Sequence, residues 1–445
     1  MGAFGLGNFL TGLIIARSVL GMNAKVQRAA QMRREVFAMG KVCMVSLGCS
    51  KNLVDSEKIL ASFAVDGHEF VGAPEEADTI IVNTCCFIDS ATEESVEMIR
   101  KMCDIKRGTS KKLLVSGCLL QRFGNEVFDL FPEIDSFIEA GDSLDRLLST
   151  PAGTAYLKIA EGCDNRCTYC IIPAIKGDYV SVPKERLLAE AEHLAARGVR
   201  ELILIAQDTT AYNDGGYLLS DLLQDLCQIE GFEWIRLHYC YPERVTDALI
   251  KVMSDEPKIC KYIDVPVQHC SDAILESMGR RTSKAEIKEL LKKLRRAMPD
   301  IVIRTSLIVG FPGETDDQFD ELCTFVREAK FDRLGCFEYS PQEGTVAAKM
   351  DGQIDDEVKK QRFEAIMKIQ EDVVAELGEA RIGRVEQAII EMATDDGYVG
   401  RTVADSVDID GQVFVHGAEN LSAGDMVCVK IIASVGHDVI GEMVN

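Results

Sequence analysis

The stretch 161–170, EGCDNRCTYC, holds the residues whose types and spacing are best suited to chemistry. It contains Cys163, Cys167 and Cys170 in the spacing C-x-x-x-C-x-x-C. Three thiolates this close can hold three irons of a cubane iron–sulfur cluster and leave the fourth iron open to a substrate or cofactor. A zinc site and a chance arrangement are the alternatives. Structural zinc takes four ligands, and no histidine lies near enough in the sequence to supply the fourth.

An aromatic residue, Tyr169, stands just before the last of these cysteines, and a short β-like run, 156–160, precedes the motif. With these features the motif resembles that of the radical S-adenosylmethionine (SAM) superfamily. The resemblance implies that the open iron binds the amino and carboxylate groups of SAM.

The composition is that of a globular protein of several domains. The chain has 445 residues, of which 27% are charged and 47% hydrophobic, and no low-complexity tract. Its sixteen cysteines, in so long a chain, indicate metal ligands and buried thiols rather than a disulfide framework. The net charge of −23 opposes binding to nucleic acid phosphates and favours basic partners.

Residues 1–40 are predicted to be a disordered extension, or to precede a true start at Met39. Their apolar run, 9–16, is too short to span a bilayer, and no basic residue precedes it as in a signal peptide. A weak amphipathic helix on a membrane surface is the other interpretation. No membrane association is expected.

Residues 41–150 are predicted to form a βα domain with a parallel sheet. Three strand-like runs alternate with helical spacing, and each run leads into a cysteine: Cys49, Cys85 and Cys118. Ligands of such sheets gather beyond the carboxyl ends of the strands, so these distant cysteines should share one crevice. Cys86 is the main rival as a ligand, whereas Cys43 and Cys103 are predicted to be buried thiols.

Three motifs of this region resemble the amino-terminal domain of the methylthiotransferase family: SLGCSKNLVDSE (46–57), NTCCFIDSATEES (83–95) and SGCLLQR (116–122). The resemblance implies a second four-iron four-sulfur cluster, held by Cys49, Cys85 and Cys118. Ser50 departs from the proline of many relatives.

Residues 151–354 are predicted to form a partial β/α barrel of six units, like the open barrel of the radical SAM superfamily. Functional side chains should lie at the carboxyl ends of its strands. The polar pair Gln207 and Asp208 ends a hydrophobic strand, and Arg304 lies within a strand, where a SAM carboxylate could neutralise it. The predicted SAM contacts are these three residues, the aromatic residue Tyr169 and two turn glycines, Gly310 and Gly313. Cysteines without ligand spacing are predicted to be structural: Cys227, Cys240, Cys260, Cys270, Cys323 and Cys336.

A connecting helix is predicted over residues 355–378, and a small antiparallel β-barrel over 379–445, with Cys428 in its core. By resemblance this barrel is a TRAM-like domain, a type that often binds RNA. Here twelve acidic residues stand against four basic ones, a net charge of −8. We therefore expect a basic protein partner and no binding to nucleic acid.

The fold class expected for the whole chain is α/β, and residues 41–445 resemble the RimO type of methylthiotransferase. EGCDNRCTYCIIPAIKGD and FEYSPQEGT favour this type over its tRNA-modifying relatives. The resemblance implies methylthiolation of the β-carbon of an aspartate in small-subunit ribosomal protein twelve, with two 4Fe-4S clusters and SAM as cofactors. An unactivated C–H bond has no useful acidity, so a radical cofactor must break it.

A flavodoxin or ferredoxin is the expected electron donor, in a reducing cytoplasm. Two other functions stay open. A tRNA adenosine methylthiotransferase would need a basic face on its last domain. A non-catalytic two-cluster electron carrier would more simply use four cysteines for each cluster.

Overall fold

A computed structural model describes residues 40–444, which divide between Leu147 and Leu148 into two compact units. The prediction for residues 1–40 falls outside this range, apart from Gly40. Within 40–444, none of the helices combines the length and the apolar character that crossing a membrane requires. The α/β fold class is confirmed.

The first unit is a parallel sheet with flanking helices. Its strands are β1 (Lys41–Ser46), β2 (Glu69–Phe70), β3 (Thr79–Thr84), β4 (Lys112–Gly117) and β5 (Ser136–Phe137). Its helices are α1 (Ser50–Val65), α2 (Asp89–Lys106), α3 (Cys118–Phe123) and α4 (Glu126–Leu130). The strand order is β2-β1-β3-β4-β5, and every pair is parallel. The two-residue strands β2 and β5 were not predicted, because they are too short to show a pattern.

The second unit contains a six-stranded sheet, a five-stranded barrel and two small two-stranded antiparallel sheets. Its strands are β6 (Thr154–Lys158), β7 (Ala160–Glu161), β8 (Val180–Ser181), β9 (Glu201–Ile205), β10 (Asn213–Asp214), β11 (Tyr217–Leu218), β12 (Trp234–Leu237), β13 (Ile259–Asp264), β14 (Val302–Val309), β15 (Arg333–Glu338), β16 (Val385–Thr394), β17 (Gly397–Thr402), β18 (Val413–His416), β19 (Met426–Val435) and β20 (Asp438–Val444). Its helices are α5 (Ile172–Lys176), α6 (Lys184–Ala196), α7 (Leu219–Gln228), α8 (Asp247–Asp255), α9 (Asp272–Ser277), α10 (Lys284–Ala297), α11 (Asp316–Ala329) and α12 (Asp356–Glu379).

The six parallel strands of this unit follow the chain in their order, β15-β14-β13-β12-β9-β6, and the sheet stays open between β15 and β6. This is the predicted partial barrel. Side chains of one face, such as Leu202, Leu204 and Ile303, form a large core beneath the helices. Sequence signals start two of these helices: Ser283 and Thr315 each accept a hydrogen bond from the third backbone N–H of the helix, in capping boxes before α10 and α11.

The last five strands close into a barrel in the order β16-β17-β18-β20-β19. Four pairs are antiparallel, but β18 and β20 are parallel, which departs from the predicted antiparallel barrel. A closed ring with an odd number of strands cannot alternate direction throughout, so one parallel pair must occur. The prediction that Cys428 is buried is wrong, because it is exposed. Its neighbours Val427 and Val429 take the inward positions of the strand.

This barrel packs against the six-stranded sheet through the segment 403–410. Arg236 of β12 donates to the carbonyl of Val403 at 3.0 Å, and the Tyr262 hydroxyl donates to Asp410 at 2.7 Å. An ion pair joins Arg333 of β15 to Asp405. The chain's one tryptophan, Trp234, lies at the same contact. Polar side chains of β12, β13 and β15 thus contact the barrel.

Glu201 is the central anion of this contact, and its loss should destabilise the second unit. It is fully buried and accepts from Arg236 Nε at 2.7 Å and from Arg401 Nη2 at 2.6 Å. Glu201→Gln leaves the buried guanidinium of Arg236 without a counter-charge and leaves Arg401 with Glu391 alone, which should cost about 3–5 kcal/mol. Urea unfolding followed by Trp234 fluorescence measures this loss. The exposed pair Arg200–Glu233 is the control, and Glu233→Gln should cost about 1 kcal/mol or less.

The contact of Glu201 with Arg236 and Arg401 makes the stability depend on pH with a defined sign. Burial raises the pKa of Glu201, but the charges of Arg401 and Arg236 outweigh it and lower the pKa from 4.5 to about 2. The stabilisation is therefore complete above pH 4.5 and is lost as the pH falls to about 2. The difference between wild type and Glu201→Gln should close over that range, and an unchanged difference would contradict this assignment.

Candidate active site

The loop with the three closely spaced cysteines leaves β7 and folds back on the segment after α5. Gly162 has φ +80°, and a Cβ at this position would lie 2.1 Å from the carbonyl oxygen of Asp178. Only glycine permits that approach. The amide of Cys163 then donates to the carbonyl of Gly177 at 3.2 Å. Arg166, within the loop, also has a left-handed backbone, with φ 53°.

The three thiols lie together and are short of counter-charge. Burial raises the pKa of Cys163 and raises that of Cys170 to about 12, and the nearby charge of Cys167 raises both. Buried thiols do not ionise readily by themselves, whereas a bound metal stabilises the thiolate. The donor set therefore fits an iron–sulfur cluster held by Cys163, Cys167 and Cys170.

Asp208, predicted to contact SAM, lies beside this loop. It is buried, accepts from the Asn165 side-chain amide at 2.8 Å and pairs with Arg244. Asn165 also donates to Cys163 Sγ at 3.5 Å. The structure therefore brings Asp208 to the cysteine loop through Asn165.

Gln207, its neighbour, also reaches the loop. Its amide donates to Glu161 Oε1 at 3.1 Å, and Glu161 pairs with Lys158 at 2.8 Å and Lys176 at 3.3 Å. Burial raises the pKa of Glu161, but the charges of the two lysines outweigh it and lower the pKa to about 2. Glu161 is therefore an anion that orients Gln207.

Tyr169 and the Gly310–Gly313 turn meet through an apolar cluster. Tyr169 packs with Phe311 and Tyr339. Glu314 shapes the turn by accepting from the amides of Gly310, at 2.5 Å, and Phe311, at 3.1 Å. The structure thus places three of the predicted SAM contacts in one region.

Arg304 has a different environment. It pairs with Asp264 at 3.0 Å and lies 3.7 Å from Asp410 of the C-terminal barrel. The sequence analysis expected a SAM carboxylate to neutralise Arg304, and in the structure these two protein carboxylates already do so. Contact between Arg304 and SAM stays a prediction.

The second set of cysteines lies at the carboxyl edge of the sheet in the first unit. Cys49 follows β1, Cys85 follows β3 and Cys118 follows β4, and these three strands are neighbours. A Cβ at Gly48 would lie 3.0 Å from Cys85 Sγ, so the loop carrying Cys49 runs close to Cys85.

Asn52 of α1 ties these strand ends together. Its amide donates to the carbonyls of Leu47 at 3.0 Å and Thr84 at 2.9 Å, and the Cys118 thiol donates to its oxygen at 3.8 Å. Asn52 therefore joins the loop after β1 to the end of β3 and to Cys118, and the sharing of one cluster by the three thiols stays a prediction. Within residues 40–444 no three such ligands close on a single ion.

Cys86, the rival ligand, is fully buried. Burial raises its pKa to about 12, and the charge of Cys118 adds to this. Cys43 and Cys103 are buried too, as predicted. All sixteen cysteines are free thiols.

Curated relatives match almost the whole chain. One from Clostridium botulinum (strain Loch Maree), named "Ribosomal protein uS12 methylthiotransferase RimO", is 44% identical over 438 residues, covering 91% of this chain and 98% of the relative. The chain belongs to the RimO family of methylthiotransferases. A second relative of that name, from Geobacter sulfurreducens, is 45% identical and covers 92% of this chain and 99% of its own. The RimO family predicted from the motifs is thus confirmed.

Models of three families match separate parts of this RimO-family chain. The Uncharacterized protein family UPF0004 matches residues 41–139, the Radical SAM superfamily 157–326 and the TRAM domain 382–444. A structure of the radical SAM methyltransferase TsrM from Kitasatospora setae, with cobalamin and a 4Fe-4S cluster, has a TM-score of 0.51 at 13% identity. It covers 68% of this chain and 77% of that one, and supports the fold alone.

Sequence reasoning missed several residues of the site. Asn165 lies inside the cysteine motif, so its place in the loop was visible but its contacts were not. Tyr241 follows a predicted barrel strand, where functional side chains were expected, but its contact with Cys167 was not visible. Arg244 and Arg280 carried no signal, because their partners are distant in the chain.

Proposed function

We propose that this protein transfers a methylthio group to the β-carbon of an aspartate in ribosomal protein uS12, using SAM and two 4Fe-4S clusters. One observation carries the proposal: two sets of three cysteines occur in a chain matched along its length by uS12 methylthiotransferases. In this proposal Cys163, Cys167 and Cys170 hold the SAM-binding cluster, and Cys49, Cys85 and Cys118 hold the auxiliary cluster.

When bound, the clusters and SAM would supply the radical chemistry that breaks the target C–H bond. The protein's own residues bind and orient. Tyr169, Gln207, Asp208, Arg304, Gly310 and Gly313 contact or position SAM. Each predicted domain has its own role: residues 41–150 hold the auxiliary cluster, and residues 151–354 carry out the radical chemistry.

The acidic surface of the last domain supports a basic protein as substrate. Some of its carboxylates point inward, since Asp405 and Asp410 face Arg333. Seven others are exposed, against two exposed basic residues, Arg384 and Lys430. Such a surface attracts a basic ribosomal protein and repels an RNA backbone. A flavodoxin or ferredoxin supplies the electron, in the cytoplasm, where thiols stay reduced.

Mass spectrometry of uS12 tests the proposal. We expect uS12 from a strain lacking the gene to lack one methylthio group on a single aspartate, and complementation to restore it. Cys163→Ala should fail to complement. The matched control is Cys428→Ser, since this exposed thiol belongs to neither set and should complement fully. If uS12 has the same mass in the strain lacking the gene, and a tRNA nucleoside loses its methylthio group there, the proposal is wrong and the tRNA reaction is the function.

A further inference from the structure

Two of the cysteines in the 163–170 loop have a hydrogen-bond donor at their sulfur. Asn165 Nδ2 lies 3.5 Å from Cys163 Sγ, and the Tyr241 hydroxyl lies 3.7 Å from Cys167 Sγ. A metal-bound thiolate has no proton to give, so in the loaded protein the hydroxyl must donate to Cys167.

The orientation of the Asn165 amide follows from its other two partners. Arg244 Nη1 lies 2.9 Å from one terminal atom, and a guanidinium only donates, so that atom is the oxygen. An Asp208 oxygen lies 2.8 Å from the other, and a carboxylate only accepts, so that atom is the nitrogen. The second N–H of this nitrogen is left for Cys163. Asp208 and Arg244 thus hold the donor toward the sulfur.

The two donors belong to one connected network. Asp208 Oδ1 accepts from the Thr210 hydroxyl at 2.6 Å, and Thr210 accepts from the amide of Tyr241 at 2.9 Å. The guanidinium of Arg280 lies 4.2 Å from the centre of the Tyr241 ring. Arg280 is buried, and its Nε and Nη1 have no hydrogen-bond partner among residues 40–444. The positive charge of the buried Arg280 therefore lies against the ring of the second donor, Tyr241.

We propose that Asn165 and Tyr241 raise the reduction potential of the SAM-binding cluster by hydrogen bonding to Cys163 and Cys167, with Asp208 and Arg244 as positioning residues. Hydrogen bonds to ligating sulfurs are one determinant of cluster potentials. They stabilise the reduced state more, because it carries one more negative charge. The inference rests on the proposed function, which assigns a cluster to these cysteines. The electron comes from the flavodoxin-type donor, and no bond of the protein forms or breaks in this step.

The test is a redox titration of the reconstituted full-length protein, followed by electron paramagnetic resonance. The SAM-binding cluster is the one whose spectrum changes when SAM is added, and the auxiliary cluster serves as an internal reference. Asn165→Ala removes one donor, and Tyr241→Phe removes only a hydroxyl while keeping the ring beside Arg280. Each should lower the midpoint so that the reduced-to-oxidised ratio at a fixed potential falls about tenfold, or about 59 mV for one electron.

Matched variants separate this role from a structural one. The Tyr212 hydroxyl donates to a backbone carbonyl, Val182 O, at 3.0 Å, so Tyr212→Phe should leave the midpoint unchanged. Arg244→Ala should shift it in the same direction as Asn165→Ala, and Arg244→Lys by less. If Asn165→Ala loses iron, the midpoint potential of Tyr241→Phe alone tests the proposal.

The outcomes distinguish the two proposals. A SAM-responsive cluster whose midpoint is the same in wild type, Asn165→Ala and Tyr241→Phe would overturn this inference and leave the proposed function standing. A wild-type protein that binds iron but has no SAM-responsive cluster would overturn the proposed function itself.

Discussion

Cys163→Ala should abolish SAM cleavage and methylthio transfer together. The loop offers three thiols and no fourth ligand, so losing one leaves two thiols for three irons. The target C–H bond has no acid–base route, so without the radical the loss of activity should exceed about 10³-fold. We expect 5′-deoxyadenosine and methylthiolated uS12 both to fall below detection, and bound iron to fall by half.

Cys227→Ala is the control for this prediction. Cys227 is a buried thiol of α7 within the large core and has no ligand spacing. Its removal should leave the iron content and both products near wild-type levels. SAM cleavage that survives in Cys163→Ala would show that this cysteine is not a cluster ligand.

Cys85→Ala should separate the two halves of the reaction. Cys85 lies in the first unit, whereas the loop of Cys163, Cys167 and Cys170 lies in the second. We expect the variant to keep one cluster and to release 5′-deoxyadenosine, but to form no methylthiolated uS12. Iron analysis, SAM cleavage and peptide mass spectrometry on one preparation measure these three properties.

The adjacent Cys86 gives a control within the same turn. Both thiols are buried, but Cys85 lies beside the loop of Cys49, whereas the carbonyl of Cys86 is bound by Arg122 at 3.1 Å. Cys86→Ala should retain both clusters and most of the product. The opposite result, with iron lost in Cys86→Ala and kept in Cys85→Ala, would reverse the assignment of the ligand.

The cysteine sets could be predicted from the sequence because their signals are local. Cys163, Cys167 and Cys170 lie within eight residues, and their spacing alone indicates a cluster. Cys49, Cys85 and Cys118 are distant, but each follows a buried strand-like run. Parallel strands end at the same edge of a sheet, so this pattern also predicts their convergence.

The amino-acid sequence by itself thus determined the family and the α/β class, and it predicts the two sets of thiols. Only the tertiary structure decided that Arg304 pairs with Asp264 and Asp410, and that Asn165 presents its N–H to Cys163. It also decided that the C-terminal barrel contacts polar side chains of β12, β13 and β15. The physical reason is distance along the chain. Arg236 and Val403, for example, are 167 residues apart, and such a contact leaves no periodicity or spacing in the sequence.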